Sequence, residues 1–109
     1  MLKSAHCLDE VQSVITENEL SLLYISAPNC GVCHAILPKL ENMLSLLPEI
    51  ATVQADIAQI PEMASVFHAL TVPVAIMFYQ GKEVWRMAKF FRFAELESEL
   101  DRWVNFANA

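Results

Sequence analysis

The chain has 109 residues and a mass of 12.3 kDa, enough for one compact domain and too little for two, so residues 1–109 are predicted to form a single domain. Hydrophobic residues make up 55% of the chain and charged residues 18%, which argues against intrinsic disorder. Seven basic and thirteen acidic residues give a net charge of −6, which argues against a nucleic-acid partner because phosphate binding needs clustered Lys and Arg. The three cysteines are too few, and odd in number, for a disulfide-stapled secreted scaffold.

The sequence contains no recognisable targeting or membrane-spanning segment. Its start carries one basic residue and reaches Asp9 and Glu10 without the apolar stretch that a secretory signal needs. The uncharged stretch at 66–79 is shorter than the roughly 18–20 apolar residues of a spanning helix, and Pro73 interrupts it. We therefore expect a cytoplasmic protein with reduced thiols and no membrane partner.

Helices and strands are predicted to alternate along the chain. Apolar residues recur at helical spacing in three amphipathic segments, at 8–17, 31–47 and 94–106. Pro61 can open another helix, because its missing N–H costs little at a first helical position. This helix is expected to carry an apolar stripe of Met63, Val66, Phe67 and Leu70. Short apolar or β-branched runs predict strands at 20–26, 50–56, 74–79 and 83–89, whereas 2–5 is too short to assign.

This order of elements predicts an α/β fold with a mixed sheet. Strands that are separated by helices pair in parallel through right-handed crossovers. The last two strands, joined by a turn at Gly81, form an antiparallel hairpin. The expected architecture is a sheet covered by helices on both faces.

The chemistry is predicted at Cys30-Gly31-Val32-Cys33, where a buried strand leads into a helix. A helix N-terminus has partial positive charge and free N–H donors, which favour a thiolate over a thiol. The pKa of a cysteine is near ~8.5 when free and can fall to about 3.5–7.5 in such a place. The two-residue spacer puts the second sulfur one helical turn away, close enough for a disulfide. Cys30 is therefore the expected nucleophile and Cys33 the resolving cysteine.

With this motif the chain resembles the thioredoxin family over nearly its whole length. The matching features are the redox pair, a helix-kinking proline, an acidic strand end, an X-Pro pair that faces the redox site and a hairpin glycine: Cys30 and Cys33, Pro38, Asp56, Val72–Pro73 and Gly81. The resemblance implies a thioredoxin fold with a mixed sheet of four to five strands. It also implies a thiol–disulfide oxidoreductase that acts on protein disulfides, takes electrons from a thioredoxin-reductase-type donor and uses no cofactor or metal.

The resemblance further implies a substrate-binding site around Pro73. In the family the X-Pro peptide bond at this position is cis, which implies a cis bond between Val72 and Pro73. In this arrangement Val72 offers backbone groups that pair with an extended substrate segment. Asn29, beside the nucleophile, completes the expected substrate-binding set. The alternative for Pro73 is an ordinary trans proline that begins a strand.

Four features depart from the family pattern. Asn29 stands where thioredoxins usually have Trp, and Gly31-Val32 replaces the Gly-Pro spacer. Tyr24 stands where standard members bury an Asp, and with an ordinary pKa near ~10 a tyrosine is a poor base at neutral pH. The docking-surface glycine of the family falls near Phe90. The changed spacer is expected to alter the redox potential, in a direction that the sequence does not predict.

His34 extends the motif to C-x-x-C-H, which is also the attachment signature of c-type haem. Haem attachment normally occurs in exported, mostly helical proteins, so the redox interpretation is preferred for this strand–helix chain. A protonated His34 would add positive charge near Cys30 and favour its thiolate. The simpler interpretation is a solvent-facing residue in the first helical turn.

A metal site is not expected from the remaining cysteine and histidines. The C-x-x-C pair supplies two ligands, whereas a closed zinc site needs four. His6, Cys7 and His68 could complete a site only from distant positions. Cys7 is more simply a small, partly buried residue beside the first helix.

The aromatic residues near the end of the last strand are unusually dense, with Trp85, Phe90, Phe91 and Phe93 within nine positions. Most are expected to pack in the core or against the last helix. The alternative is an exposed patch near the redox end that docks a partner or a second subunit, so a monomer or a weak dimer is expected. Two function classes remain: an oxidoreductase, or a thioredoxin-fold binding or adaptor module with a regulatory or vestigial C-x-x-C.

Overall fold

The computed structural model describes residues 2–109, which form a five-stranded sheet and four helices. In chain order the elements are β1 (Lys3–Ser4), α1 (Leu8–Glu17), β2 (Leu20–Ser26), α2 (Gly31–Ser45), β3 (Ile50–Asp56), α3 (Glu62–Val66), β4 (Val74–Tyr79), β5 (Lys82–Ala88) and α4 (Phe93–Ala107). The strands lie in the order β1-β3-β2-β4-β5. β3 pairs in parallel with β1 and β2, whereas β4 is antiparallel to both β2 and β5. The predicted mixed α/β sheet is confirmed.

The central strand β2 contributes to two hydrophobic cores, because successive side chains of a strand point to opposite faces. Leu23 and Ile25 pack in the core that contains the buried residues of α1 and α3. Leu22 and Tyr24 pack in the core that contains the buried aliphatic residues of α2 and α4. All four side chains are fully buried. Two layers of helices therefore hold the end of β2, which leads to the C-x-x-C motif, in a fixed position.

Helix α2 ends at Ser45, two residues earlier than the periodicity predicts. The N–H of Leu46 bonds to the carbonyl of Met43 at 3.2 Å, and the N–H of Leu47 bonds to that of Leu44 at 3.0 Å. These bonds between residues three apart tighten the last turn and close the helix. The following Pro48 disfavours helical backbone at Leu47, which explains the early end.

Helix α3 is much shorter than the predicted apolar stripe requires. Its last residue is Val66, and Leu70, which was expected on the stripe, is 87% exposed. His68 adopts a positive φ of 54°, which a right-handed helix cannot continue through. Arg86 of β5 donates to the carbonyls of Phe67 at 2.9 Å and His68 at 3.4 Å. A distant strand thus satisfies the carbonyls that a longer helix would have used.

The predicted bounds of α1, β2, β3 and β4 are confirmed, and the remaining elements differ only slightly from prediction. The unassigned segment at 2–5 contains the two-residue strand β1, β5 begins and ends one residue earlier than predicted, and α4 is one residue longer at each end. Among residues 2–109, no helix has the length and apolarity needed to cross a membrane.

Candidate active site

The two cysteines of the motif lie where β2 gives way to α2. Cys30 is the N-cap residue of α2 and has extended backbone, whereas Cys33 lies in the first helical turn. A disulfide bond joins their sulfur atoms, with the Cα atoms 5.3 Å apart. Cys30 is half-buried, while Cys33 is only 1% exposed. This difference in access supports Cys30 as the attacking sulfur and Cys33 as the resolving one.

The N-terminus of α2 directs hydrogen-bond donors and partial positive charge at the Cys30 sulfur. The backbone N–H of Cys33 donates to Cys30 Sγ at 3.1 Å. The first turn of α2 contains no acidic side chain that would compete for the helix dipole. A negative charge on the Cys30 sulfur is therefore stabilised at this position.

Tyr24 forms a hydrogen bond to the helical turn that contains Cys33. Its hydroxyl donates to the backbone carbonyl of Cys33 at 2.7 Å, and its ring meets that of Phe91 edge-on with centroids 6.2 Å apart. Burial raises the pKa of Tyr24 to about 12. The sequence suggested that Tyr24 is a poor base but did not reveal its hydrogen bond to the turn that contains Cys33. Only the alternation of β2, which turns Leu22 and Tyr24 towards α2, could have hinted at it.

Val72 and Pro73 lie beside the redox pair because of the antiparallel pairing of β2 and β4. The pairing of Ile25 with Val74 places the start of β4 next to the end of β2. Pro73 is buried and Val72 is half-buried. The peptide bond between them is cis. The structure thus brings the predicted X-Pro pair and the C-x-x-C motif to the same edge of the sheet.

The other predicted residues surround the pair on the exposed side. Asn29, Gly31, Val32 and His34 are all exposed. A Cβ atom at Gly31 would have no neighbour within 4 Å, so the fold does not require glycine there. His34 does more than face solvent, because its Nε2 lies 3.1 Å from the carbonyl oxygen of Pro28. A carbonyl only accepts, so Nε2 carries the proton, and the ring ties the first turn of α2 to the preceding loop.

Cys7 is exposed, contrary to the predicted partial burial. It is the N-cap residue of α1 rather than part of the α1 core, and the capping position points it to solvent. His68 is exposed in the loop after α3. Within residues 2–109, no three His, Cys, Asp or Glu side chains are arranged to hold a metal ion.

The dense aromatic residues divide into packed and exposed members. Trp85, Phe91 and Phe93 are half-buried and pack against the α2–α4 core. Phe90 is 77% exposed. At the redox end it is accompanied by the exposed apolar side chains of Leu70 and Val32, which are 87% and 56% exposed. The structure therefore confirms the predicted packing for three of the four aromatic residues, and docking of a partner or a second subunit at the exposed Phe90 stays a prediction.

One nearby residue was missed by the sequence analysis. Lys89, which follows β5, adopts a positive φ of 69°, a backbone conformation that favours glycine. Its N–H donates to the carbonyl of Pro73 at 2.9 Å. The sequence shows only that the family's glycine near Phe90 is missing. It does not reveal that Lys89 adopts the backbone conformation that favours glycine.

Comparison with known proteins is consistent with this geometry. The thioredoxin family model matches residues 5–102. The chain is 38% identical over 97 residues to the thioredoxin-like protein YdfQ of Bacillus subtilis, covering 89% of this chain and 87% of that protein. It is 31% identical over 81 residues to the thioredoxin-like protein YusE of the same organism, covering 74% and 72% of the two chains.

Solved structures with the same architecture include thioredoxins. The thioredoxin of Fasciola hepatica superposes with a TM-score of 0.85 at 25% identity, over 93% of this chain and 98% of that one. The thioredoxin of Trypanosoma brucei brucei superposes with a TM-score of 0.87 at 18% identity, over 96% and 92% of the two chains, and shows the fold alone. On the family model, the curated relatives and the shared fold, the chain belongs to the thioredoxin family.

Proposed function

We propose that this protein is a thiol–disulfide oxidoreductase that reduces or exchanges protein disulfides through Cys30 and Cys33. Membership of the thioredoxin family supports thiol–disulfide chemistry in general. The observation that carries the proposal for this chain is the unequal access of two bonded cysteines at one helix N-terminus. Cys30 is half-buried and receives the N–H of Cys33, whereas Cys33 is only 1% exposed.

The proposed reaction starts from the reduced dithiol. The Cys30 thiolate attacks one sulfur of a substrate disulfide, so that the substrate S–S bond breaks and a mixed disulfide forms. The first substrate sulfur leaves as a thiolate and takes a proton from solvent. Cys33 then loses its proton and attacks Cys30 Sγ, which forms the Cys30–Cys33 disulfide and releases the second substrate sulfur. The substrate gains two electrons and two protons, and the protein loses them.

Tyr24 does not serve as the base for Cys33 in this scheme. Burial raises the pKa of Tyr24 to about 12, and the hydroxyl already donates its proton to the Cys33 carbonyl. No carboxylate is buried among residues 2–109. The proton of Cys33 therefore passes to water or to the departing substrate thiolate, and Tyr24 holds the turn in place.

Val72 and Asn29 are the proposed substrate-binding residues beside the pair, together with Pro73. The segment before β4 lies at the edge where β2 ends, so an extended substrate segment can run along Val72 by strand addition. Gly31, Val32 and His34 surround Cys30 and modulate its redox properties. A thioredoxin-reductase-type enzyme is the proposed electron donor, and the exposed free thiol of Cys7 fits a reducing, cytoplasmic location.

The test is insulin reduction with dithiothreitol as the electron source, followed by the turbidity of the released chains. Cys30→Ser is expected to lower the rate to that of dithiothreitol alone, because no nucleophile remains. Cys7→Ser is the matched control and is expected to keep the rate within about twofold, because Cys7 lies at a different helix. Equal rates for the wild type and Cys30→Ser would overturn the proposal and favour the adaptor module. Cys33→Ser, incubated with insulin alone, should accumulate a mixed disulfide at Cys30 that mass spectrometry detects.

A further inference from the structure

The edge of the sheet that holds the redox pair is basic, although the protein as a whole is acidic. We define this redox edge as residues 27–34, 69–73 and 88–92. It contains Lys89, Arg92 and His34 and no Asp or Glu, in a chain whose net charge is −6. The nearest acidic strand end is Asp56 of β3, which accepts the N–H of Ala58 at 2.8 Å. Asp56 pairs with Ser26 at the end of β2, so it lies beside residues 27–34 of the redox edge. Three strand spacings, or about 14 Å, separate it from β5, after which Lys89 follows, and this exceeds the Debye length of about 10 Å at moderate salt.

Lys89 is the unneutralised cation of the redox edge. Each of three arginines in the second half of the chain has a glutamate partner: Arg86 with Glu83 at 2.6 Å, Arg92 with Glu95 at 3.0 Å and Arg102 with Glu99 at 3.5 Å. In the part of the chain that the structure describes, Lys89 forms no ion pair, and it is exposed. A substrate at the redox edge therefore meets one free positive charge, that of Lys89.

The backbone holds Lys89 in place at an energetic cost. Its φ of 69° lies in the left-handed region, which is unfavourable for a residue with a side chain and readily adopted by glycine. The N–H of Lys89 donates to the carbonyl of Pro73 at 2.9 Å, which fixes the residue beside the X-Pro segment. Strained residues of this kind cluster at functional sites, so a lysine in this conformation points to a use for its side chain.

We infer that Lys89 makes the redox edge selective for protein disulfides that are flanked by acidic side chains. This inference rests on the proposed function and names its substrate class. The exposed side chains of Val32, Leu70 and Phe90 offer apolar contact to any substrate, whereas the ammonium of Lys89 distinguishes acidic from basic ones. Because the net charge of −6 disfavours the approach of acidic substrates from a distance, this preference acts at contact range, between exposed charges that high salt screens.

The experiment compares three peptide disulfides that differ only in the residues flanking the cysteines, which are Glu, Gln or Lys. Reduced wild-type protein, Lys89→Gln and Lys89→Glu are mixed with each peptide in single-turnover reactions. All three residues at this position have a side chain in the same backbone conformation, so the strain is matched. Lys82→Glu is the control, because it makes the same charge change where β5 begins beside Tyr79, at the opposite end of β4.

The measured quantity is the ratio of the rate constants for the acidic and the basic peptide. The wild-type ratio is expected to be about three to ten, to fall about threefold in Lys89→Gln and further in Lys89→Glu, and to approach one at high salt. Lys82→Glu should keep the wild-type ratio. If all peptides are reduced but the ratio is the same in the wild type and in both Lys89 variants, the inference is wrong and the proposed function stands. If the wild type reduces none of the peptides, both are overturned.

Discussion

Cys7 and Cys30 occupy the same structural position in two different helices, and their sulfur atoms play opposite roles there. Each cysteine is the N-cap residue of its helix, α1 or α2. Cys30 Sγ accepts the backbone N–H of the residue three positions later, Cys33, at 3.1 Å. The Cys7 thiol donates instead to the side chain of the residue three positions later, Glu10, at 3.9 Å. Two helix N-termini therefore place a cysteine in opposite hydrogen-bonding roles.

The first turns of the two helices explain the difference. The first turn of α1 contains Asp9 and Glu10, whose carboxylates interact favourably with the positive end of the helix dipole. The first turn of α2 has no acidic residue, so its N–H groups and dipole act on the Cys30 sulfur. The first turn of α2 also accepts a hydrogen bond from the Tyr24 hydroxyl, at the carbonyl of Cys33. Cys7, in contrast, is exposed. The comparison predicts that the neighbours of each cysteine, more than the helix terminus, decide its chemistry.

The largest expected contrast is in the rate of alkylation after reduction. At neutral pH, iodoacetamide should modify Cys30 about tenfold or more faster than Cys7, because a C-x-x-C nucleophile at a helix N-terminus is far more thiolate than an ordinary cysteine. Cys33 should react last, since it is only 1% exposed. Peptide mass spectrometry over time measures all three rates. The contrast should vanish in denaturant, and faster reaction at Cys7 in the folded protein would refute the comparison.

A smaller effect is expected when α2 is given an acidic first turn like that of α1. Val32 is 56% exposed and is the second residue of α2, as Asp9 is of α1. Val32→Asp should slow the alkylation of Cys30 about fivefold, because a nearby carboxylate disfavours the thiolate. It should also raise the free energy of unfolding by about 0.3–1 kcal/mol through the helix dipole.

Val32→Asn is the matched control, because it has nearly the same shape as Val32→Asp and no charge. It should leave the alkylation rate of Cys30 close to that of the wild type. Equal slowing by both substitutions would mean that the apolar side chain of Val32, rather than the missing acid, sets the reactivity of Cys30.

The smallest expected effect on Cys30 reactivity concerns the hydrogen bond from Tyr24 to the first turn of α2. Tyr24→Phe removes the hydroxyl that donates to the Cys33 carbonyl at 2.7 Å. The free energy of unfolding of the oxidised protein should fall by about 0.5–1.5 kcal/mol in urea titrations. The alkylation rate of Cys30 should change by less than about twofold if Tyr24 only positions the turn. A loss of reactivity as large as that of Val32→Asp would instead give the hydroxyl a direct chemical role.

The pH dependence of the free energy of unfolding tests the burial of the Tyr24 hydroxyl. Burial raises the pKa of Tyr24 from 10.0 to about 12, so above pH 10 the unfolded chain loses this proton while the folded chain keeps it. The folded state then binds more protons, and the contribution of Tyr24 to stability decreases as pH rises from about 10 to about 12. Urea titrations across this range should show a steeper decline for the wild type than for Tyr24→Phe. Parallel curves would contradict the burial of this hydroxyl.

Local pattern was enough to predict most of the elements and the redox motif. The spacing of apolar residues within α1, β2 and β3 reports directly on which backbone conformation buries them, and their predicted bounds are those of the structure. The position of the C-x-x-C motif is predicted from two elements adjacent in sequence, the strand before it and the helix that begins within it. Such features depend on residues that are close in sequence, so a single sequence contains them.

Contacts between distant segments account for what the sequence missed. The length of α3 is limited by Arg86, which binds carbonyls eighteen and nineteen residues earlier in the chain. The role of Tyr24 comes from a carbonyl nine residues away across the core. The exposure of Cys7 follows from its position at a helix end, which a pattern of apolar residues does not resolve to a single residue.

The sequence by itself therefore determined the order of the elements, the mixed sheet and the position of the redox cysteines, because hydrophobic periodicity and motif spacing act over a few residues. Only the tertiary structure decided which side chains surround the pair. The antiparallel pairing of β2 with β4 brings Pro73 to the edge of the sheet where the C-x-x-C motif follows β2. The hydrogen bond from Lys89 to Pro73 places a strained, unpaired cation at the same edge. These neighbours depend on strand register and packing, which short-range patterns do not specify.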